Sequence, residues 1–292
     1  MRVPRAVLYM AASAFGFSAM AMFVKLAGTH LPTGEIVLAR AVVTLVVSYA
    51  MVVRAGLHPW GTNKRVLVIR GALGFVGLSC YYLSLAHLPL ADATVIQQTV
   101  PVITAVIAWF VLRESIGWPT VLAIACGVAG VALVVHPSGA GLDPFGVVVG
   151  LVAALTASTA YVTVRHLART EHPYVIVFYF PLVATPLIVP WAAATWVMPS
   201  AIDWLVLLMV GLSTQVGQVF LTKALAIERA GKVTSLGYLQ IAFAIGWQWT
   251  LFAAPPTVWT IGGAALIVLG TLAVSGAAGS PSRTPRSPRT RG

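Results

Sequence analysis

The chain has few charged residues for its length. Only 9% of its 292 residues are Asp, Glu, Lys or Arg, and 59% are hydrophobic, whereas soluble domains carry about 25% charged residues. An ordinary soluble fold is therefore excluded, because such a chain cannot cover a globular surface with charge. Cysteine is also scarce. Cys80 and Cys126 both fall in hydrophobic stretches, where we expect them to pack as small side chains and not to form a disulfide.

Motifs of catalysis, metal binding and phosphate binding are missing as well. The six histidines lie at the ends of hydrophobic stretches or between them, and none combines with Cys or a carboxylate at the spacing of a metal site. No buried His and carboxylate accompany a Ser or Thr nucleophile. Gly71, Gly74 and Gly77 lack the strand and the Gly-Lys-Ser/Thr ending of a phosphate loop and are typical of close helix packing. We therefore expect no enzymatic activity, no metal and no cofactor.

Long apolar stretches are what the sequence has instead. A helix needs about 20 mainly apolar residues to cross a bilayer, and ten such stretches follow one another with short connections. The sequence thus predicts an all-α integral membrane protein with ten transmembrane helices. The predicted spans are 6–27, 34–53, 66–87, 91–112, 118–136, 145–167, 174–196, 203–226, 232–253 and 257–277.

The second half of the chain repeats the first at a shift of 140 residues. Gly71 then falls on Gly211, and Trp109 falls on Trp249. Five spans are an odd number, so the second repeat must enter the membrane from the opposite side. Inverted repeats of this kind are typical of secondary transporters with a substrate site near the midplane. The predicted units are a first five-helix repeat, 1–137, a second, 138–278, and a basic tail, 279–292, whose Ser, Pro and Arg content predicts disorder.

The net charge of +11 follows the predicted topology. Sixteen of the 18 Lys and Arg residues fall on one side of a ten-span arrangement, Arg70 among them, and the exceptions are Lys25 and Arg40. This asymmetry predicts cytoplasmic termini and contact with a lipid bilayer, not with nucleic acid, and the short loops favour a bacterial inner membrane. A cleavable signal peptide is the alternative for span 1, but span 1 has a repeat partner in span 6. The sequence does not indicate whether the protein is a monomer or an oligomer.

Arg40 is the clearest charged candidate within a predicted span, in from the outer end of span 2. An arginine near the bilayer centre costs about 2.5–3.5 kcal/mol, so such a residue is a candidate for function. Asp92, at the outer start of span 4, is a better partner than Glu35, which is five residues away on the same helix and faces another way. Two roles stay open. The structural role is an ion pair with Asp92 or snorkelling of Arg40 to the interface. The functional role is that Arg40 helps to bind an anionic group or gates the outer mouth.

Uncharged polar side chains recur in spans that the repeat relates. Gln is disfavoured against lipid, so these stripes should face inward; interhelical hydrogen bonds are the alternative. Pro101 should bend span 4 and free a backbone carbonyl near the midplane. We expect a cavity of hydrogen-bonding and aromatic groups with few fixed charges. The candidate substrate-binding residues are Ser18, Tyr82, Thr94, Gln97, Gln98, Ser158, Tyr161, Thr214, Gln218, Tyr238 and Gln248.

Several motifs, in order along the chain, resemble the EamA type of the drug/metabolite transporter superfamily. They are Pro32, Glu35 and Arg40, the run Leu88-Pro89-Leu90-Ala91-Asp92-Ala93, the run Gln97-Gln98-Thr99-Val100-Pro101, and Leu112-Arg113-Glu114. The resemblance implies two inverted five-helix repeats around a central cavity, alternating access and, usually, export of small metabolites. The 88–101 stretch is most similar to carriers of S-adenosylmethionine or related compounds. The second half departs from the pattern, with Ala254 in place of Glu114 and Lys232 in place of Asp92.

Three classes of function compete at this stage. A secondary transporter, an exporter or exchanger of a small polar metabolite such as an amino acid or an S-adenosylmethionine-like compound, accounts for the polar stripes. A lipid or lipid-precursor translocase would need a lateral opening and a more apolar pathway. A membrane protein that transports nothing is disfavoured by the same stripes. No carboxylate lies near the middle of a span, so the sequence does not indicate proton coupling.

Overall fold

The computed structural model describes residues 5–88, 96–135, 143–252 and 258–277. Within these ranges the chain is helical and contains no strand, which confirms the all-α prediction. A 3₁₀ turn, Leu236–Tyr238, joins two of the helices. The helices are α1 (Arg5–Ala27), α2 (Thr33–Arg54), α3 (Lys64–His87), α4 (Val100–Leu112), α5 (Trp118–Val135), α6 (Pro144–Leu167), α7 (Pro173–Ala194), α8 (Ala201–Ile227), α9 (Ala230–Ser235), α10 (Leu239–Phe252) and α11 (Val258–Ala277).

Six helices, α1, α2, α3, α6, α7 and α8, are long and apolar enough to cross a membrane. Shorter apolar stretches lie in α4, α5 and α11. Large apolar side chains such as Val46, Phe110 and Leu205 are more than half exposed, and a bilayer covers such a surface at no cost. The class of multi-pass membrane protein is thus confirmed. The count of ten spans also depends on segments outside the described ranges and stays a prediction.

Contacts between the two halves come in pairs that are 140 residues apart. Gly71 on α3 lies against Val183 on α7, and Gly211 on α8 lies against Val43 on α2, which is the same contact with the halves exchanged. The packing of whole helices follows the same rule, since α1 packs on α8 as α6 packs on α3. An approximate two-fold axis therefore relates the halves.

The second half is inverted relative to the first. Helices α2 and α7 are equivalents in the repeat and pack on each other. Gly34, near the start of α2, lies against Trp191, near the end of α7. At the other end, the rings of Tyr49 and Phe178 lie with their centroids 5.9 Å apart. The two helices are thus antiparallel, and a two-fold axis between antiparallel neighbours lies in the plane of the membrane that they cross.

Glycines allow the helices of the two halves to approach backbone to backbone. A Cβ atom on Gly16 of α1 would lie 2.7 Å from the amide nitrogen of Gly217 on α8. A Cβ atom on Gly130 of α5 would lie 2.6 Å from the carbonyl oxygen of Gly263 on α11. Ser13 uses the close α1–α8 crossing to donate its hydroxyl to the Gly217 carbonyl, at 2.9 Å. These glycines serve helix packing.

The predicted spans 4 and 9 are interrupted at equivalent points. α4 begins at Val100, after a turn at 98–99, with Pro101 in its first turn. The 3₁₀ turn at 236–238 separates α9 from α10. Pro101 thus stands in the first turn of a new helix and not inside a bent one. A residue without an N–H is well suited to that turn, because the N–H would have no partner there. The Tyr238 hydroxyl donates to the freed Gln98 carbonyl at 3.0 Å, so the two interruptions meet.

Candidate binding cavity

A polar cavity of about 130 Å³ lies between the two halves, beside the start of α4. Helices α2, α3, α6, α7 and α8 and the turn before α4 contribute to its wall. It is distinctive because two buried arginines share it. The lining residues are Arg40, Arg70, Gly74, Gly77, Leu78, Tyr81, Gln97, Ala157, Ala160, Tyr161, Phe180 and Gln218.

Arg70 is almost completely buried, with 4% of its surface exposed. Its Nη2 donates a hydrogen bond to Oε1 of Gln218 across the cavity, at 3.3 Å. Its guanidinium lies over the ring of Phe180, 5.1 Å from the ring centroid. Within the described part of the chain, Nε and Nη1 have no hydrogen-bond partner. The cation is therefore held in place by neutral groups and keeps two donors for another molecule.

Arg40 is buried at the same cavity, on α2. Its side chain lies within hydrogen-bonding reach of Tyr82, while its Nε has no partner among the described residues. Tyr161 is close enough to interact electrostatically with both guanidinium groups. The repeat equivalent of Arg40 is Phe180, whose ring packs against the guanidinium of Arg70. Both charges of the cavity thus come from the first half of the chain.

No described carboxylate neutralises these two arginines. Two of the twelve lining residues carry a charge, because Arg70 adds a second cation to Arg40. Asp92, the partner predicted for Arg40, lies outside the described residues, and that pairing stays a prediction. The partners of the described carboxylates are the Val197 N–H for Glu35, Arg165 for Glu114, His87 for Asp143, Thr62 and Asn63 for Glu171, Ser200 for Asp203, and Lys232 for Glu228.

The structure brings part of the predicted site together. Gln97, Tyr161 and Gln218 line the cavity with Arg40, and Tyr82 lies beside Arg40. The side-chain oxygen of Gln97 is buried and has no described partner. These residues come from different elements of both halves, and their meeting depends on the packing of the two halves.

Other predicted residues are engaged in packing. Ser158 donates to the Ala154 and Val100 carbonyls, and Thr214 donates to the Val210 carbonyl. Ser18 accepts a hydrogen bond from the indole N–H of Trp247 at 3.1 Å. Gln98 contributes its backbone carbonyl to Tyr238. Thr94 and the side chain of Gln248 lie outside the described residues.

Arg70 is the residue of the cavity that sequence reasoning missed. The positive-inside pattern groups it with the loop cations before span 3, but α3 begins at Lys64, and Arg70 lies six residues further on. Six residues of helix correspond to about 9 Å, beyond the depth at which a cation is simply interfacial. Lys64 and Arg65 already mark the membrane surface at this end. A further cation deeper in the same helix was therefore the signal that could have identified Arg70.

A second polar cluster joins the halves at the end of the bundle where α1 begins, here named the basic end. Oε1 of Glu114 accepts a hydrogen bond from Nε of Arg165 at 2.9 Å, and Oε2 accepts one from the N–H of Ala230 at 2.8 Å. Arg165 also donates to the carbonyls of Leu225 and Ala226, at 2.9 and 3.0 Å. This Glu114 network ties the end of α4 in the first half to α6, α8 and α9 of the second.

A membrane bundle of two inverted halves that encloses a polar cavity defines the class of small-molecule transporters. Comparison with known proteins agrees with this class and identifies the family. The EamA-like transporter family model matches the chain twice, over residues 4–136 and 144–276. The chain belongs to this family, and it is a membrane transporter and not an enzyme.

Similar proteins carry names of small-molecule transporters. The chain is 34% identical to the pseudopaline exporter CntI of Pseudomonas aeruginosa, over 92% of this chain and 95% of the relative. It is 31% identical to mouse solute carrier family 35 member G1, over 91% and 76%. It is 26% identical to the S-adenosylmethionine uptake transporter of Rickettsia conorii, over 85% and 84%. A crystal structure with 20% identity superposes with a TM-score of 0.76, over 92% of this chain and 99% of the other, and shares the fold.

Proposed function

We propose that the protein is a secondary transporter that exports or exchanges a small polar metabolite, which binds in the cavity between Arg40, Arg70, Gln97 and Gln218. The meeting of these four polar side chains in one cavity between two inverted halves, with both arginines buried, carries the proposal, because lipid does not favour such groups and the family transports small molecules. The two repeats, 1–137 and 138–278, rock against each other, and the basic end faces the cytoplasm of a bacterial inner membrane.

Alternating access accounts for the size of the cavity. Binding sites for whole small molecules have volumes of about 300–1,000 Å³, and this cavity has about 130 Å³. The conformation described is thus contracted around its polar side chains. The Glu114 network keeps the basic end closed, and the halves must separate there before a metabolite passes.

A lipid translocase is the second candidate, and one observation favours it. An apolar groove of about 400 Å³ lies between α2 and α8, with Trp196 and Trp204 at its wall. Its lining residues differ from those of the polar cavity. A lipid pathway would therefore leave the two buried arginines without a role, which ranks this candidate second.

Efflux from proteoliposomes tests the proposal. Vesicles that contain the purified protein are loaded with a bacterial metabolite extract, and the compounds that leave are identified by mass spectrometry. Gln218→Ala should lower the apparent affinity about tenfold or more, because it removes the hydrogen bond that positions the Arg70 guanidinium, and a hydrogen bond to a charged group contributes about 1.5–3 kcal/mol. Gln215→Ala is the matched control, since Gln215 lies on the same helix and contacts Met51 instead of the cavity.

The same vesicles separate the two candidate functions. Labelled phospholipid is added to them, and its movement between leaflets is measured. Scrambling of lipid without efflux of any metabolite would contradict the proposal and support the translocase. Equal efflux in Gln218→Ala and in the wild type would show that the cavity is not the binding site.

A further inference from the structure

The two buried arginines indicate what kind of metabolite the cavity accepts. Building on the proposed transport function, we infer that the substrate carries an anionic group, a carboxylate or a phosphate, which binds between Arg40 and Arg70. A phosphate with two negative charges neutralises both cations while it is transported, and a carboxylate neutralises one of them. A substrate with a net positive charge is excluded by the same arrangement.

The first support is the set of donors that the protein leaves unused. Nε of Arg40 and both Nε and Nη1 of Arg70 are buried without a partner in the described part of the chain. A buried donor without a partner costs about 1–3 kcal/mol, and more when it is charged. Arginine presents its N–H groups as a planar fork that matches the oxygens of a carboxylate or phosphate. An anion with two or more oxygens satisfies these donors together.

The second support is the balance of charge. Gln218 and Phe180 contact Arg70, and Tyr82 contacts Arg40, so the groups known to hold the two cations are all neutral. The described carboxylates are engaged at other places. A third cation, such as the sulfonium of S-adenosylmethionine, would raise the cost of burying charge, whereas an anion lowers it.

The third support is the break before α4. α4 starts at Val100, in the middle of a predicted span, and Gln97 lines the cavity just before it. A helix start carries a partial positive charge, which has the same sign as the two arginines. The side-chain oxygen of Gln97, unpartnered among the described residues, can accept a hydrogen bond from the substrate. The substrate class is thus a small anionic metabolite with a hydroxyl, amide or amine group near the anionic one.

Charge fractionation of a metabolite extract tests this inference, because it sorts candidate substrates by charge alone. A bacterial extract is separated by ion exchange into anionic, neutral and cationic pools. Each pool is added to the purified full chain while Tm is measured, and each is loaded into proteoliposomes for efflux. The anionic pool alone should raise Tm and leave the vesicles. Phosphatase treatment of that pool abolishes both effects if the anionic group is a phosphate monoester and leaves them unchanged if it is a carboxylate.

Variants link the effect to the two arginines. Arg40→Gln and Arg70→Gln should each require at least about tenfold more of the anionic pool for the same rise in Tm, since a charge-assisted hydrogen bond is lost. Arg70→Lys keeps the charge and should lose less. Arg169→Gln removes an arginine that is exposed beyond α6, and it should behave as the wild type.

Two results would overturn the inference. One is efflux and stabilisation by the neutral or cationic pool, unchanged in Arg70→Gln or Arg70→Lys. The other is a loss of abundance in Asp92→Asn that Arg40→Gln restores, because Arg40 would then be neutralised inside the protein. Both results leave the transport function standing. Absence of efflux from every pool with the wild type would instead refute the proposed function.

Discussion

Replacement of Glu114 by Gln should open the basic end of the bundle to water. Glu114 belongs to the first half, and both of its partners, Arg165 and the Ala230 N–H, belong to the second. The side chains of the ion pair are largely buried, with 19% of Arg165 and 11% of Glu114 exposed. Loss of the carboxylate charge therefore weakens a contact that must break whenever the halves separate at this end.

The size of the effect follows from the partners that remain. Removal of one member of a buried ion pair costs about 3–5 kcal/mol. Arg165 keeps two backbone carbonyls as acceptors, and Gln at position 114 can still accept a hydrogen bond. Because these hydrogen bonds remain, we expect a cost below that range, about 2 kcal/mol. At about 1.4 kcal/mol per factor of ten, the population open at the basic end rises about 30-fold.

Chemical labelling in the cavity measures this population. Ala160 lines the cavity on α6 and is 5% exposed, so Ala160→Cys is the reporter, with Cys80 and Cys126 replaced by Ser. A membrane-impermeant thiol reagent is applied from the basic end, and its reaction rate should rise about 30-fold in Glu114→Gln, in proportion to the open population. Glu114→Asp, which keeps the charge on a shorter side chain, should give an intermediate rate.

A charge pair at the same end provides the control. Glu228 binds Lys232 at 2.8 Å within the second half, so Glu228→Gln breaks a comparable pair without loosening the halves. An equal rise in labelling for Glu228→Gln would mean that any lost charge loosens this end. An unchanged rate in Glu114→Gln with a lower Tm would mean that the network contributes stability alone. Each of these results would refute its role in closing the basic end.

Three further predictions concern stability. Gly130→Leu should sharply lower the Tm of the purified protein because its first side-chain atom would clash with α11, whereas Gly262→Leu, which faces open space, should have little effect. Tyr238→Phe should lower the free energy of unfolding by about 1 kcal/mol, since it loses one hydrogen bond to a backbone carbonyl; an unchanged unfolding curve would contradict this. Burial alone would raise the pKa of the Glu171 carboxyl, but hydrogen bonds from residues 62–63 outweigh it and hold the pKa below 4.5. A lowered pKa in the folded state stabilises the fold above the unfolded pKa, and this contribution is lost as the pH falls through the folded one. Tm should therefore fall more steeply below pH 4.5 in the wild type than in Glu171→Gln.

The architecture could be predicted from the sequence because close helix packing requires small residues at equivalent positions of both repeats. Gly71 and Gly211 occupy equivalent positions, and in the structure each meets a valine from an equivalent position of the other half. A small residue is required wherever two helices approach closely, so both copies kept one. The interruption of spans 4 and 9 could not be predicted as well, because helical periodicity continues through the 3₁₀ turn and only Pro101 marks the first break.

The cavity was harder to predict because polar side chains inside a membrane differ in what they can reach. The hydroxyls of Ser158 and Thr214 donate to carbonyls four residues earlier on their own helices, so neither needs a cavity. Gln218 carries a longer side chain and finds its partner, Arg70, on another helix. Hydroxyl stripes are therefore weak predictors of a cavity, whereas amides and charges deep in a span are strong ones.

The divergence of the two halves explains how a symmetric frame can favour one conformation. Inverted halves would give two symmetry-related end states of equal energy if their sequences were identical. Here the Glu114 and Arg165 pair closes the basic end, and the residues 140 positions away are Ala254 and Lys25, which cannot form an ion pair with each other. Closure at the basic end therefore has an ion pair that positions 25 and 254 cannot form at the other end. An anionic substrate between the arginines and a closed basic end are separate contributions, because the Glu114 network shares no residue with the polar cavity.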